Sequence, residues 1–230
     1  MDEGSERGEA SVSGCLHHPC VALDSRTREL SVATNDRVSV HTPDGAVSVE
    51  RGGDARVAAA SRDPFSIRTW REDGGLNVAV ERDHDRRVYV ELTLPAGVSL
   101  GSASTGCGAV SVEGVAGTPV VETGRGNVSV RGTDGVAAVR TGSGDVDVSI
   151  CRLPDHATVE TADGDATLTL ADDLDATVEL SVQGGDVAAS PQTFDELAAK
   201  SAGYVRGVLG DGDAWLTAKT GGGDGIARRT

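Results

Sequence analysis

Aromatic residues are almost missing from this chain: two each of Trp, Tyr and Phe in 230 residues, 3% of the total. A core without rings must be filled by Val, Ala, Leu and Thr, the small and β-branched set that suits pleated strands and rarely builds helical bundles. Lysine is equally scarce. Lys200 and Lys219 are the only lysines among 21 bases, which stand against 36 acids for a formal charge of −15. No Lys/Arg stripe or aromatic platform interrupts that acidic field, so no nucleic acid is expected as a partner. Hydrated carboxylates in such excess suit a protein adapted to concentrated salt. Long apolar runs are also lacking, and nothing approaches the ~20 residues of a membrane span. The amino terminus MDEGSERGEASVSGC has neither the basic start nor the apolar stretch of a secretory signal, which reads as a cytoplasmic chain with cell-surface association unsupported. Four cysteines at this length make no disulfide framework.

What the sequence does have is a repeated phrase, Thr-x-x-Gly-x-Val-x-Val. It reads TGCGAVSV from Thr105, TGRGNVSV from Thr123, TGSGDVDV from Thr141 and TADGDATL from Thr161, with degenerate copies from Val182 and Thr220 and an early one, TPDGAVSV, from Thr42. From Thr105 to Val182 the starts are separated by 18 to 21 residues, the spacing of stacked coils. The fold expected is all-β: a parallel β-solenoid of two sheets. Residues 1–19 read as a flexible, Gly/Ser/Glu-rich tail and 20–230 as one solenoid domain, with its clearest repeats over 105–226. Ahead of them, short alternating segments run over 37–41, 46–50, 65–70, 76–80 and 87–94, each cut by a turn such as Pro43-Asp44-Gly45 or Asp73-Gly74-Gly75.

A single coil can be read residue by residue. Val146, Val148 and Ile150 alternate with polar residues, Leu153-Pro154-Asp155 turns the chain, and Ala157, Val159 and Thr161 alternate again. Stacking such coils in chain order predicts one inward column of Val112, Val130, Val148 and Leu168, and a second of Val121, Val139, Val159 and Leu180. Thr105, Thr123, Thr141 and Thr161 then share an inward corner as a hydroxyl ladder, beside turn glycines 108, 126, 144 and 164. One segment breaks the rhythm: Thr193-Phe194-Asp195-Glu196 fits a capping box, and Phe194, Leu197 and Ala198 recur at helical spacing, predicting a short capping helix over about 193–200.

Two clusters have the residue types of a metal site. Cys15, His17, His18 and Cys20 combine thiolates and imidazoles, although C-x4-C is not a usual zinc spacing and adjacent histidines rarely share an ion. Asp145, Asp165 and Asp186 follow the turn glycines, as do Asn127 and Asp224, and stacked carboxylates at ~4.8 Å spacing suit calcium. Asp and Asn are equally the ordinary residues of such turns. No catalytic residue is assigned and no cofactor is expected: the five histidines stand near no nucleophile elbow or HExxH, and the glycines mark coil corners and form no phosphate loop.

Val88-Tyr89-Val90-Glu91-Leu92-Thr93-Leu94-Pro95-Ala96-Gly97-Val98 followed by the Thr-x-x-Gly repeats resembles a prokaryotic family of candidate adhesins of unknown function, with TGSGDVDVSI from Thr141 the closest match to the family's habit. The resemblance covers residues 38–226. It implies a right-handed parallel β-solenoid, no catalytic residues to carry over, and a structural or protein-interaction role with a protein or cell-envelope partner. Association through the solenoid ends is a further expectation. The alternatives are a cation-binding repeat module using the turn aspartates and a polysaccharide-acting enzyme.

Overall fold

The computed structural model describes residues 23–82 and 87–230, and over them the chain is all-β, without an α-helix. The first half gives β1 (Asp24–Glu29), β2 (Arg37–Thr42), β3 (Val47–Arg51), β4 (Arg56–Ser61), β5 (Phe65–Glu72), β6 (Gly75–Arg82) and β7 (Tyr89–Leu94). The clear repeats follow as β8 (Ser99–Thr105), β9 (Val110–Glu113), β10 (Val120–Thr123), β11 (Val128–Arg131), β12 (Ala138–Thr141), β13 (Val146–Ile150), β14 (His156–Thr161) and β15 (Ala166–Leu170). β16 (Ala176–Val182), β17 (Val187–Ala189), β18 (Glu196–Ser201), β19 (Tyr204–Leu209), β20 (Ala214–Thr220) and β21 (Gly225–Arg229) complete the order. Alternation explains the strands: in β13 Val146, Val148 and Ile150 are buried while Asp147 and Ser149 are not. The segments β1 and β4 escape such reading, because DSRTRE has no apolar face and RVAAAS is an alanine run.

Two sheets face each other, one of ten strands and one of eleven, and most of their pairings are parallel. Each repeated phrase supplies one rung: a strand of the larger sheet, a glycine corner, and a strand of the smaller. A continuous cluster of buried Val, Leu and Ala fills the space between, from Leu30 and Val38 to Phe194 and Ala227. The first predicted column is present, with Val112, Val130, Val148 and Leu168 in register.

The second column needs correction. Val121, Val139 and Val159 stack as expected, but the next residue is Ala218, and Leu180 comes only after it. The final rung, β20–β21, is inserted between β14–β15 and β16–β17. The opposite end mirrors this, with β2–β3 inserted between β6–β7 and β8–β9. Chain order and stacking order therefore diverge at both ends.

The predicted helix is a second correction. Ser190 caps a single 3-10 turn, Pro191–Thr193, after which the chain is extended and enters β18. Tertiary packing overrides the local signal: Phe194 lies on Gly207, whose missing β-carbon would sit 2.2 Å from the ring, and Asp195 N–H donates to the Val208 carbonyl at 2.9 Å. β18 and β19 form an antiparallel hairpin at the edge of the larger sheet. The hairpin also shields the short edge strand β17, where Val187 N–H donates to Ala202 O (2.9 Å) and Lys200 Nζ to Ala189 O (2.7 Å). At the far end β1 places Asp24, Arg26 and Arg28 on the core side of the sheet opposite Ser61, Ala59 and Val57, the two arginines still exposed at its open edge, and Arg26 stacks over Phe65 at 5.2 Å. Charged residues directed inward at edge strands discourage edge-to-edge pairing.

Candidate functional site

The repeated corner is the most organised polar feature. Gly108, Gly126, Gly144 and Gly164 hold positive φ between 134° and 149°, and each lies on its neighbour so closely that a β-carbon would meet the next glycine's carbonyl oxygen at 2.2–2.4 Å. Only glycine satisfies both constraints. The same contacts order the whole corner: Gly45, Gly108, Gly126, Gly144, Gly164, Gly223, Gly185. Buried threonines are present in a ladder, and each hydroxyl donates to a glycine carbonyl one rung back: Thr105 to Gly45, Thr123 to Gly108, Thr141 to Gly126, Thr161 to Gly144 and Thr220 to Gly164, at 2.8–3.0 Å.

The turn carboxylates complete the corner. Asn127 Oδ1 accepts the Asp145 N–H, Asp145 Oδ1 that of Asp165, Asp165 Oδ1 that of Asp224, and Asp224 Oδ1 that of Asp186, all at 2.8–3.0 Å. The predicted trio Asp145, Asp165 and Asp186 thus lies in one column, with Asp224 standing between the last two. Each acid is joined to its neighbour through backbone, and among the described residues no group of three or more His, Cys, Asp or Glu side chains is assembled to hold a metal. Cys15, His17, His18 and Cys20 lie outside the described residues. Cys107 and Cys151 are free.

Elsewhere the outer face of the larger sheet carries a row of alternating charge. Arg140 Nη1 donates to Glu122 at 2.9 Å and its Nε lies 3.4 Å from Glu160; the Glu122 hydrogen bond chiefly raises the Arg140 pKa above its ordinary value. At one end of the stack a cleft of about 460 Å³ opens beside Leu30, Trp70 and Leu76. Two arginines stitch the sheets across it, Arg28 to the Ile67 carbonyl (3.1 Å) and Arg71 to the Ser31 carbonyl (2.7 Å). Arg71 also donates to Asp36 at 2.8 Å and, with the Ala33 N–H, holds that carboxyl below its ordinary range. These ties join residues some 40 positions apart and leave no spacing in the sequence from which to read them.

Chemically, this is an arrangement that keeps rungs in register and presents polar sheet faces. Facing, mostly parallel sheets joined at stacked glycine corners define a β-strand-repeat domain. The profile of the Toastrack DUF4097 family matches residues 29–225, and the chain belongs to that family. Among solved structures, a candidate cell adhesion protein from Clostridium sporogenes shares the fold at a TM-score of 0.51 and 10% identity, over 91% of this chain and 100% of that one. Candidate adhesins from Bacteroides fragilis (TM-score 0.37, 12% identity, 92% and 99% covered) and Parabacteroides merdae (TM-score 0.30, 12% identity, 90% and 96% covered) also match. No curated protein matches the chain.

Proposed function

We propose that this chain is a non-enzymatic, adhesin-like structural or protein-interaction module, a right-handed parallel β-solenoid of 18–21-residue coils whose working surface is its sheet faces. The observation that supports it is the commitment of the repeat's own polar groups. Threonine hydroxyls and turn carboxylates are spent on rung-to-rung hydrogen bonds, so what the stack displays outward is the rows of Ser, Thr, Glu and Arg on the two faces. Family membership and the Clostridium sporogenes structure, itself described as a candidate cell adhesion protein, are consistent with a protein or cell-envelope partner at the cell surface. The test is retention of the full chain on immobilised envelope fractions at matched salt. Ser111→Arg and Ser129→Arg, adjacent on one outer face, should abolish it, while a corner change such as Asp163→Asn should not. Equal retention of all variants, or none by the wild type, removes the reading.

One rival has an observation behind it: four aspartates do line one column. If cation binding were their role, calcium would raise the melting midpoint beyond the effect of monovalent salt at equal ionic strength. The rung-to-rung bonds already made by the Oδ1 atoms of Asp145, Asp165 and Asp224 favour the structural reading.

A further inference from the structure

Beyond the edge strand β1, the first and last rungs of the described chain both lie inside the stack. β20–β21 is paired on both sides: β20 with β14 from His156↔Trp215 to Thr161↔Thr220 and with β16 from Ala176↔Ala214 to Val182↔Thr220, β21 with β15 and β17. β2–β3 is likewise paired with β6 and β8, and with β7 and β9. An edge strand is peeled against one ladder of hydrogen bonds, an interior strand against two.

Each inserted rung is also clasped by the connector that skips it. The 171–175 connector leads from β15 to β16 and so passes the open side of β20–β21. Its last residue holds the rung where it begins, Asp175 Oδ1 accepting Gly212 N–H (2.6 Å) and Asp213 N–H (3.0 Å). Its second holds the rung where it ends: Arg229 Nε donates to Asp172 Oδ1 (3.1 Å), its Nη2 reaches the Asp172 carbonyl, and Thr230 N–H donates to Leu170 O (3.0 Å). The 95–98 connector, from β7 to β8, reaches β2–β3 where that rung begins, and Leu94, the last residue of β7, holds it where it ends. Asn35 N–H donates to Gly97 O (2.7 Å) where that rung begins, and Gly52 N–H to Leu94 O (2.9 Å) where it ends.

We propose that the two inserted rungs are mechanical latches, so that tension applied between the chain's ends enters the interior of the stack and cannot strip rungs from its tips. β1, an edge strand joined to β4 alone, is the one element expected to yield early.

Single-molecule pulling of the full chain between marker domains tests this. The expected record is an early release of residues 23–34, roughly 40 Å at about 3.5 Å per residue, then one event for the remainder. Loss of residues 210–230 before the main event, a step of roughly 70 Å by the same arithmetic, overturns the proposal. Arg229→Ala should bring that step forward, whereas Arg140→Ala, which removes ion pairs from the mid-stack face, should leave the record unchanged. Indistinguishable records for the two variants overturn the role given to the 171–175 connector. Hydrogen exchange on the resting chain is the second readout: amides of β20 and β21 should be as protected as those of β12 and β13, and exchange at the rate of β18 would count against the latch.

Discussion

Asp165 illustrates how one residue can hold a fold together and strain it at once. Its Oδ1 accepts a backbone N–H from the next rung, yet its charge stands within a column of like charges, with Asp145 on one side and Asp224 on the other. Asn127 fills the same place with a neutral acceptor. Asp165→Asn should therefore keep the hydrogen bond, relieve repulsion and raise stability, whereas Asp165→Ala should lose roughly 0.5–1 kcal/mol. Urea unfolding at low salt reads both, and the advantage of the asparagine should shrink near 1 M salt, where the screening length is about 3 Å. A destabilised asparagine variant would mean that the charge itself is used. Glycine gives a sharper contrast. Gly144→Ala places a methyl group 2.4 Å from the Gly126 carbonyl at a φ of +134°, which should cost several kcal/mol or prevent folding, while Gly53→Ala meets nothing within 4 Å and should be close to neutral. Equal melting midpoints for the two would refute the stacked-corner account.

At the scale of elements, the closing hairpin carries a pH-sensitive tie. Asp195 Oδ2 accepts the Gly210 N–H (2.9 Å) and its Oδ1 pairs with Arg229 (2.8 Å), and these two, the backbone bond foremost, lower its pKa from 3.8. A carboxyl lowered in the folded state stabilises the fold above its unfolded pKa and loses that contribution as pH falls from about 4 through the depressed value. Wild type and Asp195→Asn should differ in melting midpoint above about pH 4 and converge below it; a gap that persists to the lowest pH measured would assign the residue a purely steric role. This hairpin is also where sequence reading failed. Phe194, Leu197 and Ala198 fit a helical stripe, but the residue that decides is Gly207, invisible as a partner until Phe194 rests on it. The strands of the clear repeats, the corner glycines and the threonine ladder were legible because they are local and periodic. The stacking order was not, because a parallel rung carries no mark of its neighbour. One trace existed: of the two degenerate copies, that from Val182 lacks the ladder hydroxyl that Thr220 keeps, and its strand β17 is the one at the sheet edge.

For the whole molecule the decisive quantity is the charge of −15, borne by a stack whose corner sets aspartates one rung apart. Self-repulsion of that size opposes the compact state and acts over a distance that salt controls, about 10 Å at 0.1 M and 3 Å at 1 M. Exposed ion pairs such as Arg131–Asp147 and Arg68–Glu81 act in the opposite sense and weaken on screening, but each is a surface pair of small worth. The acids outnumber the bases, so repulsion should dominate and added salt should stabilise. We expect the melting midpoint to rise by several degrees between about 0.1 and 1 M KCl, the equivalent of one or two kcal/mol for a chain of this size. Most of the gain should come early, while the screening length is still longer than the ~4.8 Å between rungs. A sulfate series separates this from general strengthening of apolar burial, since sulfate also acts through exclusion from the protein surface. If chloride leaves the midpoint flat while sulfate raises it, the acid excess contributes no net repulsion, and the adaptation to concentrated salt inferred from composition loses its physical basis.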